Sequence, residues 1–168
     1  MFTNNYIALK KGRFFYAVNS QTFVLCNGDT RGGSNDYASD IGCLFGTPRV
    51  QDPNASATYG VYFGSGDTPP TREDYTLEAV ITSGLSALGE AANATEVDTG
   101  DKKTTAEGIY MLKNISEEEI TVREVGYFGK INTSAKPCLY ERSLVEPPVT
   151  IPPGEARLIT YRITIENL

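Results

Sequence analysis

The chain has 168 residues, a formal net charge of −6, 10 Tyr, 7 Phe, 16 Gly and 9 Pro, and no His. This length suits one domain, which can bury about 70% of its extended-chain surface without help from disulfides or metal. The acidic balance, with 15 scattered basic residues, argues against binding nucleic acid through its phosphates. No window approaches the ~18 consecutive apolar residues of a membrane-spanning helix.

In chain order, Phe14-Phe15-Tyr16-Ala17-Val18 and Phe23-Val24-Leu25-Cys26 are apolar and β-prone, and Asn19-Ser20-Gln21 between them predicts a hairpin. Lys10, Lys11 and Arg13 form the one local basic concentration, as in a solvated N-terminal arm. Residues 27–58 are rich in Gly, Asn, Asp and Pro and read as a long loop region, with one short strand at Ile41–Phe45. Tyr59–Gly64 is a strand that ends at Ser65-Gly66-Asp67-Thr68-Pro69-Pro70, a turn in which glycine can take positive φ and proline ends the ladder. Thr71, with Asp74 three residues on, predicts a short helical turn. Ala79–Thr82 favours a strand, and residues 89–101 read as a polar hairpin loop. Ile109–Ile115 is a strand, Ser116–Glu119 an acidic turn and Ile120–Gly129 a strand whose alternation slips by one residue near Glu124, the sign of a bulge.

The last thirty residues carry the strongest pattern. Cys138–Ile151 and Ala156–Ile165 are two β-prone segments around a Pro152-Pro153-Gly154-Glu155 turn. In the second, Ile159, Tyr161, Ile163 and Ile165 alternate with Thr160, Arg162 and Thr164, the period of a half-buried strand. About eight strands at this spacing predict an all-β fold, an antiparallel β-sandwich or jelly roll, in which residues 1–58 form a loop-rich arm and 59–168 the sandwich.

The chemistry is sparse. Without histidine there is no Ser-His-Asp or Cys-His mechanism and no His-ligated zinc. Cys26, Cys43 and Cys138 form neither a disulfide framework nor a Cys₄ site and suit a reducing cytoplasm, while the first five residues lack the pattern of a signal peptide. Four Asn-x-Ser/Thr sequons, at Asn54, Asn93, Asn114 and Asn132, therefore read as chance matches. Gly64-Ser65-Gly66-Asp67 lacks the Gly-Lys-Ser/Thr that completes a phosphate loop. Asp67, Glu73 and Asp74, or Asp29, Asp36 and Asp40, have the oxygens for calcium but not its loop spacing, and capping or solvation explains them. Tyr6, Tyr16, Tyr37 and Tyr59 are candidates for stacking on sugar, although aromatic residues in strands more often serve a core or an interface. A pair of carboxylates suffices for glycoside hydrolysis, but 21 acidic residues offer no marked pair. No catalytic, cofactor-binding or metal-binding residue is assigned.

Three segments resemble a family of small bacteriophage and prophage proteins. They are Tyr62-Phe63-Gly64-Ser65-Gly66-Asp67-Thr68-Pro69-Pro70-Thr71-Arg72-Glu73-Asp74-Tyr75-Thr76-Leu77, followed by Ile81-Thr82-Ser83-Gly84-Leu85; Val122-Arg123-Glu124-Val125-Gly126-Tyr127-Phe128-Gly129; and Leu139 to Ile165, with Arg142, Pro148, Gly154, Tyr161 and Ile163 in matching places. The resemblance covers residues 59–168. It implies a virion-associated β-sandwich encoded near head and tail genes, assembling around symmetry axes, with no catalytic residues to carry over.

The expectation is a non-enzymatic virion structural protein, a component or decoration of capsid, collar or tail, folded in the host cytoplasm before assembly. Its partners would be copies of itself and other virion proteins, with no nucleic acid, membrane or cofactor. The alternative is a host-surface or carbohydrate-binding module that uses loops 27–40 or 89–103.

Overall fold

The computed structural model describes residues 1–4, 21–33, 47–55, 59–98, 103–129 and 136–166. Nine strands are named among them: β1 (Gln21–Val24), β2 (Thr30–Gly33), β3 (Pro48–Arg49), β4 (Gly60–Gly64), β5 (Leu85–Asp98), β6 (Lys103–Asn114), β7 (Ile120–Gly129), β8 (Cys138–Ile151) and β9 (Ala156–Glu166). The protein is all-β. One sheet has the order β3-β4-β7-β8, a second β5-β6-β9, and β1 and β2 form a separate hairpin. All pairings are antiparallel except that of β3 with β4.

The alternation that marks each strand also builds the core. Val61 and Phe63 of β4, Val125 and Tyr127 of β7, Tyr110 and Leu112 of β6, and Ile159 and Tyr161 of β9 join one buried cluster between the sheets. Phe63 meets Tyr110 across the gap edge to face, with centroids 5.8 Å apart and planes at 70°, the arrangement aromatic quadrupoles favour. On β9, Thr160 and Arg162 point outward as their period requires. Every residue of β4 is buried, because the other face of its sheet is covered as well. There Tyr62, Phe128, Leu139, Cys26 and Leu77 form a second cluster.

The slip near Glu124 is a register shift between Val122 and Glu124. It leaves Val122 and Val125 in the core and turns Glu124 to the opposite face. The turn between β8 and β9 is also as expected, with Gly154 at φ 75°. Met1–Thr3 lie along β8: Phe2 bridges Glu141, the Thr3 N–H donates to the Tyr140 carbonyl at 3.0 Å and the Arg142 N–H to that of Met1 at 3.1 Å.

Several local expectations differ from what the chain does. Phe23 and Val24 pair with Thr30 and Arg31 around the turn at Asn27–Asp29, where Gly28 takes φ 86°; the expected strands at 14–18 and 41–45 lie outside the described residues. Phe23 and Leu25 enter the main core. Of Ala79–Thr82, only Val80 bridges Gly64. Residues 89–98 are not a loop: β5 continues to Asp98, opposite Lys103. Backbone bonding holds that ladder without apolar alternation to reveal it. Thr71 starts no helix, and its N–H and hydroxyl instead donate to Asp74 at 2.9 and 2.7 Å. Gly64 and Gly66 do not take positive φ; they are needed because other groups approach their α-carbons.

Candidate functional site

Arg142 of β8 is the junction of the covered outer face. Its Nε donates to Glu124 Oε2 at 2.7 Å, Nη1 to Asp74 Oδ2 at 2.8 Å and Nη2 to the Thr68 carbonyl at 3.1 Å. The guanidinium is 3% exposed and the Glu124 side chain 0%. Glu124 also accepts backbone N–H groups from Gly66 (3.2 Å), Glu78 (3.1 Å) and Ala79 (2.8 Å). Glu78 Oε2 takes both the N–H and the hydroxyl of Thr68 at 2.8 Å. The strap between β4 and β5 is thereby fastened over Tyr62, Phe128 and Leu139, with its own Leu77 packed among them. A Cβ on Gly64 would overlap Glu124, and one on Gly66 would lie 2.5 Å from the Glu78 Cβ.

The electrostatics follow from this geometry. Burial works to raise the Asp74 pKa, but the bonds from Thr71 and Arg142 outweigh it and leave the value below the ordinary one. Burial likewise works against the Arg142 charge, and Asp74 and Glu124 more than offset it. Such a set of buried charges is stable only when each member has its partners. Segments 62–77, 122–129 and 139–165, far apart in sequence, meet here, supplying Gly66, Thr68 and Asp74, then Glu124, then Arg142.

A second buried carboxylate, Glu141, faces the core. It accepts from the Tyr161 hydroxyl, from Ser143 Oγ at 2.6 Å and from the Met1 ammonium at 2.6 Å. Burial first, and then Glu141, push the Tyr161 phenol well above its ordinary pKa. At the far end of the sandwich the fully buried Asn114 carboxamide donates to the carbonyls of Glu118 (2.7 Å) and Ile151 (2.8 Å). That sequon asparagine is committed to the fold.

Among the described residues, the accessible features include a sheet edge, two clefts and an apolar pair on a sheet face. Beyond Arg142, β8 bows away from β7: Leu144 pairs with Glu124 and Val149 with Val122, so Val145, Glu146, Pro147 and Pro148 stand against Arg123 alone. A cleft of about 530 Å³ opens between this bow and β9, with Val145, Glu146, Leu158, Thr160 and Arg162 among its walls. A smaller one of about 280 Å³, over Arg142, is lined by Asp74, Tyr75 and Glu78. On the outer face of β6 and β9, Met111 sits directly opposite Leu158, and they are 38% and 54% exposed.

Of the residues singled out in the sequence, Asp74 enters the Arg142 network, Glu73 and Asp67 are exposed, and Asp29 accepts from the Asn27 carboxamide at 2.6 Å. Tyr59 is exposed; Tyr6, Tyr16, Tyr37, Asp36 and Asp40 lie outside the described residues. No group of three metal-ligating side chains occurs among the described residues. Cys26 and Cys138 are buried free thiols. Sequence reading missed the Arg142 network, although Glu141-Arg142 within an apolar strand and the slip at Glu124 were its signals. No protein-family model matches the chain, and a search of curated proteins finds no relative.

Proposed function

We propose that the chain is a non-enzymatic structural protein of a bacteriophage virion, a component or decoration of capsid, collar or tail. One observation carries this reading: buried Arg142, Glu124 and Glu141, with half-buried Asp74, fasten strands and strap to one another, while large apolar side chains stand exposed. Tyr59, Tyr75, Met111, Ile115 and Leu158 are between 38% and 64% exposed. A scaffold that uses its charges internally and offers sheet edges and apolar side chains outward works by burying surface against neighbours. The resemblance of residues 59–168 to phage proteins supplies the kind of neighbour, namely copies of itself and other virion subunits.

The test is quantitative mass spectrometry of particles from the phage or prophage that encodes the chain, after salt washing and a density gradient. A fixed stoichiometry relative to the major capsid or tail subunit is expected. Absence from washed particles, together with saturable binding of the purified chain on a glycan array, would overturn the assignment in favour of a surface-binding module.

A further inference from the structure

We propose that the free edge of β9 joins two copies of this chain, antiparallel, in one continuous sheet; this rests on the structural reading above and names the partner and the surface. Among the described residues β9 pairs only with β6 and ends its sheet. Eleven successive residues, Ala156 to Glu166, stay in register with Lys113 to Lys103 without an irregularity. A typical strand has about 5–6 residues, so this is a long, regular edge whose outward backbone groups meet no paired strand among the described residues.

The other sheet's edge strand is treated differently. Along β8, Leu139–Arg142 are already covered by Met1–Thr3, and the bow beyond them carries Pro147 and Pro148, which have no N–H to offer a further strand. Proline, bulging and coverage are the devices that blunt an edge. β9 has no proline and no bulge, and among the described residues no strand pairs with its outer edge, which faces the bow of β8 only across the cleft.

An edge of alternating N–H and C=O groups is matched only by another extended polypeptide, and an antiparallel strand is complementary to itself about a two-fold axis. Two copies of a chain with net charge −6 repel unless they meet where charge is balanced. β9 is such a place: Arg162 is paired with Glu107, and Arg157 with Glu155. A continuous six-stranded sheet, β5-β6-β9 of one copy running into β9-β6-β5 of the next, would also bring both Met111–Leu158 pairs onto one outer face, extending the apolar surface for a third subunit.

The test combines sedimentation equilibrium with amide hydrogen exchange of the full chain over a concentration series. A free antiparallel edge leaves every second amide unbonded. The expected result is a monomer–dimer equilibrium in which these alternate β9 amides become protected as dimer forms, and Leu158→Lys/Thr160→Lys, with charges at the edge, weakens dimerisation by roughly tenfold or more. A dimer whose alternate β9 amides exchange at the same rate at every concentration would overturn the inference, as would a monomer at all concentrations. In either case, a chain still found in washed particles leaves the structural role standing. Dimerisation through β9 by a chain absent from particles would retain the edge contact and remove that role.

Discussion

Arg142 and Glu124 meet at 2.7 Å on the outer face of the four-stranded sheet, at 3% and 0% exposure, and between them they hold the strap that covers that face. Each was read in the sequence as part of a strand; together they decide how residues 65–80 pack. Removing one leaves the other buried without its ionic partner. Arg142→Met is predicted to lower stability by about 3–5 kcal/mol, and Arg142→Met with Glu124→Gln by less than the sum of the single changes. Urea unfolding of the two single variants and the double variant measures both quantities. Additive losses would show that the pair does not act as a unit.

Acid should loosen the strap. Asp74 lies below its ordinary pKa because the bonds from Thr71 and Arg142 outweigh burial, and Glu78 does so because Thr68 donates to it from backbone and side chain. Depressed folded-state values contribute stability that is fully present above the unfolded pKa values, about 4, and lost as pH falls through the folded ones. The urea midpoint is therefore predicted to drop below about pH 4, with a shallower fall in Asp74→Asn. Identical slopes in the two proteins would contradict this.

Close approach, not backbone conformation, explains Gly66. An added Cβ would lie 2.5 Å from the Glu78 Cβ and 2.7 Å from Glu124 Oε1, so Gly66→Ala should cost about 1–3 kcal/mol of overpacking. Gly154 is the converse case, with φ 75° and nothing within 4 Å of a Cβ; Gly154→Ala carries only the left-handed backbone penalty of about 1–2 kcal/mol. Crystal structures of the two variants separate the causes: the strap shifts in the first and stays in place in the second.

The two described thiols should be inert in the folded protein. Burial pushes Cys26 up to about 11 and Cys138 further still, where Cys26 adds to the effect. In a Cys43→Ser variant at pH 8, maleimide labelling should run roughly a hundredfold slower than for an unfolded thiol, and both sites should label at once in denaturant. Rapid native labelling at either position would show that its surroundings open.

Much of the fold was legible because alternation, proline and glycine write strands and turns directly into sequence. β7 with its slip, β9 with its inward Ile159 and Tyr161, and the turn at Gly154 belong to this class. What was not legible depends on partners remote in sequence. The continuation of β5 through Asn93 is set by pairing with Gly108, and its residues carry no apolar period of their own. Gly64 and Gly66 looked like turn glycines because nothing local shows that Glu124, about sixty residues away, occupies the space beside them. The Arg142 network was hidden for the same reason: Asp74, Glu124 and Arg142 come from a strap and two strands and meet only in the folded chain.

The most direct test of an assembly role is a cryo-electron microscopy map of the intact particle at side-chain resolution. The prediction is density for this two-sheet fold, repeated by the particle's symmetry, with Met111 and Leu158 covered by a neighbouring subunit. A map in which every repeated subunit is accounted for by other chains, with no density matching this fold, would contradict it.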